Sequence, residues 1–256
     1  MHPLIGSQDW VTSYGLVLVV ALFACWWLTR RNAAIAGLDP SHIDLVFPLS
    51  IAGGLATGSL LGLGIKLIPL IVTCSIVLMA YGRLAGQSFR ALVDAFAMPV
   101  IVAIAIQRIG CLLAGCCWGE VVMHDGAWAW AAVQFPAGSF AWEQQLAAGL
   151  ITADAAVSMP VHPTQLYEAV LLVPLAVLLH RIGLHRYPAG SIALLAVASY
   201  ALVRFGIEFL RADSLPIAGE LTLTHLLCLS LLLVATTTVA RLGKNHGIGH
   251  HRGVNS

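Results

Sequence analysis

The sequence predicts an all-α integral membrane protein of seven transmembrane helices, with its N-terminus outside, its C-terminus cytoplasmic and an interfacial arm on the outer face. Three observations predict it: the composition, the length of the apolar stretches, and the one-sided placement of basic residues. Of 256 residues, 59% are hydrophobic and 10% are charged, whereas soluble domains carry about 25% charged residues. A soluble globular fold is excluded. At roughly 20 apolar residues per spanning helix, the chain supplies seven spans, and too little remains for a second, soluble domain. Residues 1–256 therefore form a single polytopic membrane domain. A net charge of +1 without a polybasic block offers no footprint for nucleic acid, so the expected partners are membrane lipids and other membrane-embedded molecules. Six cysteines, several inside apolar runs of a long chain, do not make a disulfide framework. The chain shows no internal repeat.

The expected spans are 11–28, 44–64, 67–81, 92–113, 164–182, 189–210 and 221–240. Trp26, Trp27, Arg30 and Arg31 close the first span as interfacial anchors, and no A-x-A cleavage site follows it. It is therefore an uncleaved span and not a signal peptide. Orientation follows from lysine and arginine, which are enriched in cytoplasmic loops. Arg30, Arg31, Arg83, Arg90, Arg181, Arg186, Arg241, Lys244 and Arg252 follow spans one, three, five and seven, leaving only Lys66, Arg108, Arg204 and Arg211 of the thirteen basic residues elsewhere. The long connection 118–161 then falls outside. It carries Glu120, Asp125, Glu143 and Asp154 with Trp128, Trp130 and Trp142, and indoles suit the headgroup layer. An arm lying on the outer leaflet is expected, helical over 141–150. The tail 241–256, despite His246, His250 and His251, is expected to be disordered and cytoplasmic.

Ionisable groups at bilayer depth cost several kcal/mol unless paired or hydrated, and so mark functional sites. Arg108, Glu168, Arg204 and Glu208 stand out. Arg204 and Glu208 are four apart and share a helical face, which Arg211 is expected to continue. Arg108 has no acid within a helical turn, so it needs a partner from another span or an anionic ligand. The heptad His162-Pro163-Thr164-Gln165-Leu166-Tyr167-Glu168 opens span five. Proline suits a first helical turn and pushes the residue before it out of helical geometry, so His162 reads as the helix cap. Free N–H groups there favour an anion such as phosphate, and Thr164 and Glu168 share a face directed into the bundle.

The segment 108–119 ends span four with Cys111, Cys116 and Cys117 among glycines. Cys-x4-Cys-Cys is not a recurrent zinc spacing, and no Cys-x-x-Cys is present. The expectation is therefore close-packing small residues, with no metal or thiol redox centre. Leu113-Ala114-Gly115-Cys116 also matches a bacterial lipobox, but it sits mid-chain and reads as chance.

Taken together, these segments resemble the prolipoprotein diacylglyceryl transferase family of bacterial inner-membrane enzymes, in order along most of the chain. Ser13-Tyr14-Gly15-Leu16 is similar to its Tyr-Gly start, Gln107-Arg108-Ile109-Gly110 to its Gly-Arg-x-Gly segment, and the 162–168 heptad to its His-Pro-(Ser/Thr)-Gln-Leu-Tyr-Glu motif. Residues 204–211 resemble its Arg-x3-Glu-Phe-x-Arg stretch. The pattern departs from the family at Gln107, where a glycine is usual, and at Cys111 and Cys116, where many members have asparagine and glutamate. It departs again at Ile51-Ala52-Gly53-Gly54, which lacks the ring of the family's His-Gly-Gly or Tyr-Gly-Gly segment.

The resemblance implies transfer of the diacylglyceryl group of phosphatidylglycerol to the lipobox cysteine thiol of preprolipoproteins, in a multi-pass protein of the bacterial inner membrane with a periplasmic arm. It implies no metal and no organic cofactor. Arg108 and Arg204 are expected to hold the departing phosphate, because a planar guanidinium binds phosphate oxygens bidentately. His162 or a carboxylate such as Glu168 takes the thiol proton. Glu168 and Glu208 hold the arginines in place, and Tyr14, Gln165, Tyr167 and Arg211 meet the substrate. Two alternatives predict different outcomes: a divergent member using another acceptor, and a lipid-binding or transport protein with no covalent product.

Overall fold

The computed structural model describes residues 13–60, 67–123, 129–184, 187–212 and 216–252. Lys66, Asp125, Trp128 and Arg186 lie outside them. Among the described residues there are eight α-helices: α1 (Ser13–Ile35), α2 (Ser41–Leu60), α3 (Leu67–Leu84), α4 (Phe89–Ala114), α5 (Phe140–Ala147), α6 (Thr164–Ile182), α7 (Ser191–Glu208) and α8 (Leu223–Arg252). A helix occupies each of the seven expected spans. Four of them, α1, α4, α6 and α7, are long and apolar enough to cross a membrane. A short antiparallel pair, β1 (Pro216–Ala218) with β2 (Leu221–Thr222), joins α7 to α8.

α4 is the hub, packing against α1, α6 and α7, while α2 pairs with α3 and α7 with α8. Its contact layer alternates small and large residues: Ala97, Met98, Ile101 and Ala105 meet Leu172, Leu175, Ala176 and Leu179 of α6 and Ile192 and Ala196 of α7. Alanines at these crossings let the helix backbones approach closely, as membrane helices require. The opposite faces stay apolar and exposed, with Val170 and Val173 of α6 and Val19 and Phe23 of α1 among them. Water would not favour such faces, but lipid tails do. Pro48, Pro99 and Pro174 lie inside α2, α4 and α6, a placement that membrane helices tolerate.

The helix ends have local causes. Ser88 caps α4 by accepting from the Ala91 N–H, and Gly115, left-handed at φ 72°, ends it. Arg30 of α1 meets the Asp44 carboxylate at 2.7 Å in the first turn of α2, where negative charge also suits the helix dipole. A buried carboxylate that the sequence reading left unremarked, Asp94 of α4, accepts the Gly190 and Ala193 N–H groups at 2.6 and 2.7 Å. It thereby caps α7 from a neighbouring helix. α8 carries on as helix to Arg252, into the stretch where an unstructured tail is expected.

The described residues of the connection 118–161 pack on a small core of Trp118, Phe135, Ala141 and Val161. Its helix α5 starts one residue before the expected 141–150 and stops three earlier. Trp118 and Trp142 spend their indole N–H groups inside it, on Gln144 Oε1 at 2.9 Å and the Ala155 carbonyl at 2.8 Å, whereas Trp130 is 82% exposed. The segment around Gly119 runs between two others: Gly119 N–H donates to the His162 carbonyl and Glu120 N–H to that of Leu210, both at 2.9 Å. This seam ties the end of α4 to the start of α6 and the end of α7.

Candidate active site

Two ion pairs lie in the bundle. Arg108 Nη2 on α4 donates to Glu168 Oε1 on α6 at 2.8 Å, and the Tyr200 hydroxyl of α7 donates to the same oxygen at 3.3 Å. Glu168 is 1% exposed. One turn along α7 from Tyr200, Arg204 Nη2 meets Glu208 Oε2 at 2.6 Å, and the other Glu208 oxygen accepts from Thr222 Oγ1 at 2.7 Å. Tyr200 is within electrostatic reach of Arg108, Arg204 and Glu168 together, so the two pairs form one cluster. Each carboxylate offsets the desolvation of its guanidinium. Each guanidinium still keeps a buried donor, Arg108 Nε and Arg204 Nη1, with no partner among the described residues.

His225 extends the second pair, and sequence reasoning missed it. Thr222 precedes α8, and its N–H donates to His225 Nδ1 at 3.0 Å while its hydroxyl faces the His225 N–H at 3.4 Å. This is a capping box with histidine in the place of the usual glutamate or glutamine. The ring is fully buried against Phe205 and Phe209. Its Nδ1 acts as acceptor, which assigns the proton of the neutral ring to Nε2. The available signal was a histidine three residues after a threonine at the head of an apolar run.

At the end of α4 the chain makes two left-handed steps, Gly115 and then Cys117 at φ 61°. Cys117 is the one non-glycine with positive φ among the described residues. The turn folds the vicinal cysteines back on the helix, so that the Sγ atoms of Cys111, Cys116 and Cys117 all lie within 4.8 Å of one another. Residues of α6 fix it: Thr164 Oγ1 donates to the Cys117 carbonyl at 2.7 Å and Gln165 Nε2 to that of Cys116 at 2.6 Å. The Cys116 thiol donates to the Cys111 carbonyl at 3.7 Å, and the neighbouring Cys111 and Cys116 thiols, then the charges of Arg211 and Arg108, lower the Cys117 thiol from the ordinary range against the effect of burial. Spacing along the chain did not reveal this proximity, which the turn at Gly115–Cys117 creates.

Among the expected site residues, Arg108, Glu168, Arg204 and Glu208 come together as one cluster. Tyr14 lies within reach of Gln107 and of all three thiols. Gln165 is committed by its amide N–H to Cys116, with its Oε1 buried and unpartnered. Thr164, Gln165 and Glu168 all face inward. Two expectations are corrected. His162 does not cap α6: Pro163 occupies the cap position without a side-chain bond, and the imidazole Nδ1 instead pairs with the Tyr167 hydroxyl at 3.3 Å. Arg211 does not continue the Arg204–Glu208 face, because α7 ends at Glu208 and Arg211 pairs across the seam with Gly119. That turn brings its charge to Cys117.

Fold and site together define a helical membrane protein whose buried arginines are each held by a carboxylate with a donor to spare. The sequence model of the prolipoprotein diacylglyceryl transferase family matches residues 67–241, and the chain belongs to that family. Similar relatives are the phosphatidylglycerol–prolipoprotein diacylglyceryl transferases of Methylococcus capsulatus, 27% identical over 89% of each chain, and of Nitratidesulfovibrio vulgaris, 28% identical over 89% of this chain and 88% of its own. That of Geobacter sulfurreducens is 27% identical over 88% of each.

Proposed function

We propose that this chain transfers the diacylglyceryl group of phosphatidylglycerol to the lipobox cysteine of prolipoproteins, forming a thioether and releasing glycerol phosphate. The observation that carries this reading is the pair of unpartnered donors, Arg108 Nε and Arg204 Nη1, in one buried cluster. As the carbon–oxygen bond to phosphorus breaks, the phosphate gains a negative charge. Preorganised guanidinium donors in a water-poor site stabilise that charge far more than water does. Arg108 and Arg204 are the catalytic residues of this reading. Glu168 and Glu208, with Tyr200 and Thr222 behind them, are positioning residues.

The acceptor thiol must lose its proton, and its proposed acceptor is His162, whose Nδ1 is oriented by Tyr167. Tyr14, Gln165, Tyr167 and Arg211 are proposed to meet the headgroup or the peptide. The proposed setting is the bacterial inner membrane, with α1–α4 and α6–α8 as seven spans, the N-terminus and the 118–161 arm outside, and the C-terminus cytoplasmic. The arginine distribution supports that orientation. The test is to incubate the purified protein in detergent with phosphatidylglycerol and a lipobox peptide and to weigh the peptide. A diacylglyceryl adduct on cysteine is expected, and its absence with folded protein would contradict the reading.

A further inference from the structure

The three gathered thiols are a chemical group that the arginine clamp does not use. Thiolates bind zinc at about 2.3 Å, which sets sulfurs about 3.8 Å apart around a tetrahedral ion. Cys111, Cys116 and Cys117 are already within 4.8 Å of one another, so rotation about their Cα–Cβ bonds closes the difference. The backbone around them is held as a metal site's is. The Cys116 and Cys117 carbonyls are each pinned by an α6 side chain, and Cys117 keeps a left-handed conformation that is unfavourable for a non-glycine residue. Close packing of small residues explains neither, since a glycine at 117 would make the turn without strain. Strain of this kind persists where a site requires it.

We propose that Cys111, Cys116 and Cys117 bind a zinc ion as thiolates, with the fourth position open to the thiol of the acceptor cysteine. The second half of this proposal rests on the transferase reading. No further histidine, cysteine or carboxylate joins the group among the described residues, and three protein ligands with one open position is the pattern of catalytic zinc. Three thiolates on a divalent ion leave one net negative charge, and Arg108 and Arg211 stand close to Cys117 to balance it. The acceptor thiol binds zinc as thiolate and passes its proton to His162. Its sulfur lone pair then attacks the glyceryl carbon, the carbon–sulfur bond forms, and the carbon–oxygen bond to phosphate breaks, its electron pair leaving with glycerol phosphate. The thioether product is a neutral, weak ligand and departs, and zinc undergoes no redox change. A free thiol is only about 3% thiolate at pH 7. Coordination deprotonates it fully, a gain partly offset by lower nucleophilicity, so zinc is expected to raise transfer roughly tenfold.

The test uses the full-length protein in detergent, stripped with chelator and titrated with cobalt(II) as a spectroscopic stand-in for zinc. One cobalt per chain is expected, with sulfur-to-metal charge-transfer bands that zinc abolishes. Cys111→Ser, Cys116→Ser and Cys117→Ser should each lose the bands, while Cys74→Ser, on α3, keeps them. In the unmutated protein, which needs no variant to fold, zinc should shield three of the six thiols from alkylation, mapped by mass spectrometry to these three positions. A lipobox cysteine peptide should alter the bands and its serine analogue should not. Absence of the bands and of the shielding, or a disulfide among the three, overturns the zinc site. Full transfer by the stripped protein overturns the catalytic half alone. Bands that respond to the peptide, with no adduct ever formed from phosphatidylglycerol, support the site and contradict the transferase reading.

Discussion

Arg108 of α4 and Glu168 of α6, sixty residues apart, meet at 2.8 Å inside the bundle, and Tyr200 of α7 donates to the same carboxylate oxygen. Three helices thus converge on one oxygen. Because Glu168 is buried and shared, it sets where the guanidinium sits. Removing it leaves a buried positive charge without its partner, at a cost of about 3–5 kcal/mol. Glu168→Gln keeps the shape but not the charge, and is expected to lower thermal stability in detergent and to slow transfer. Tyr200→Phe removes one hydrogen bond and should cost about 1 kcal/mol. Equal melting of Glu168→Gln and the parent protein would show that the pair does not hold the site.

Gly119 is the closest backbone approach in the seam. A methyl group there would lie 2.6 Å from the Leu210 carbonyl oxygen and 2.7 Å from His162 Cβ. Gly119→Ala should therefore destabilise by about 1–3 kcal/mol and pull His162 and Arg211 out of register. Gly206, helical on α7 with nothing within 4 Å, is the control. Gly206→Ala should be neutral or stabilising by up to about 1 kcal/mol. Paired melting curves of the two variants check this directly.

The positions of α1, α4, α6 and α7 were legible because an apolar run long enough to cross a bilayer folds as a helix of matching length. Their ends were less so. α7 stops at Glu208 because the next residues pair with Gly119 and Glu120, a contact made by a segment some ninety residues away in sequence. Arg108's need for a partner from another span could be read from the lack of a local acid, and the geometry supplies Glu168. Asp94, His225 and the gathered thiols could not be read in the same way. Asp94 caps a helix that is remote in sequence, His225 looks like one polar residue in an apolar run, and the thiol cluster depends on two left-handed residues that spacing does not reveal.

His225 offers a separate check on the Glu208 side of the cluster. His225→Gln keeps a side-chain acceptor for the Thr222 N–H, as a usual capping box does. His225→Ala loses it and should cost about 0.5–2 kcal/mol, loosening Thr222 and with it Glu208. Thermal melting should rank the parent protein and Gln above Ala. Melting of Ala with the parent would show that the box does not support α8.

Arg108 and Arg204 are proposed to hold the phosphate as it leaves. The most direct measurement is the rate of diacylglyceryl transfer from phosphatidylglycerol to a lipobox peptide, followed by mass spectrometry, for the parent protein and for Arg108→Lys and Arg204→Lys. Lysine keeps the charge but lacks the fork. Losses of about 10²–10³-fold are expected for each variant, with the protein still folded by melting and size-exclusion criteria. Transfer by both lysine variants at the parent rate would show that neither arginine holds the phosphate.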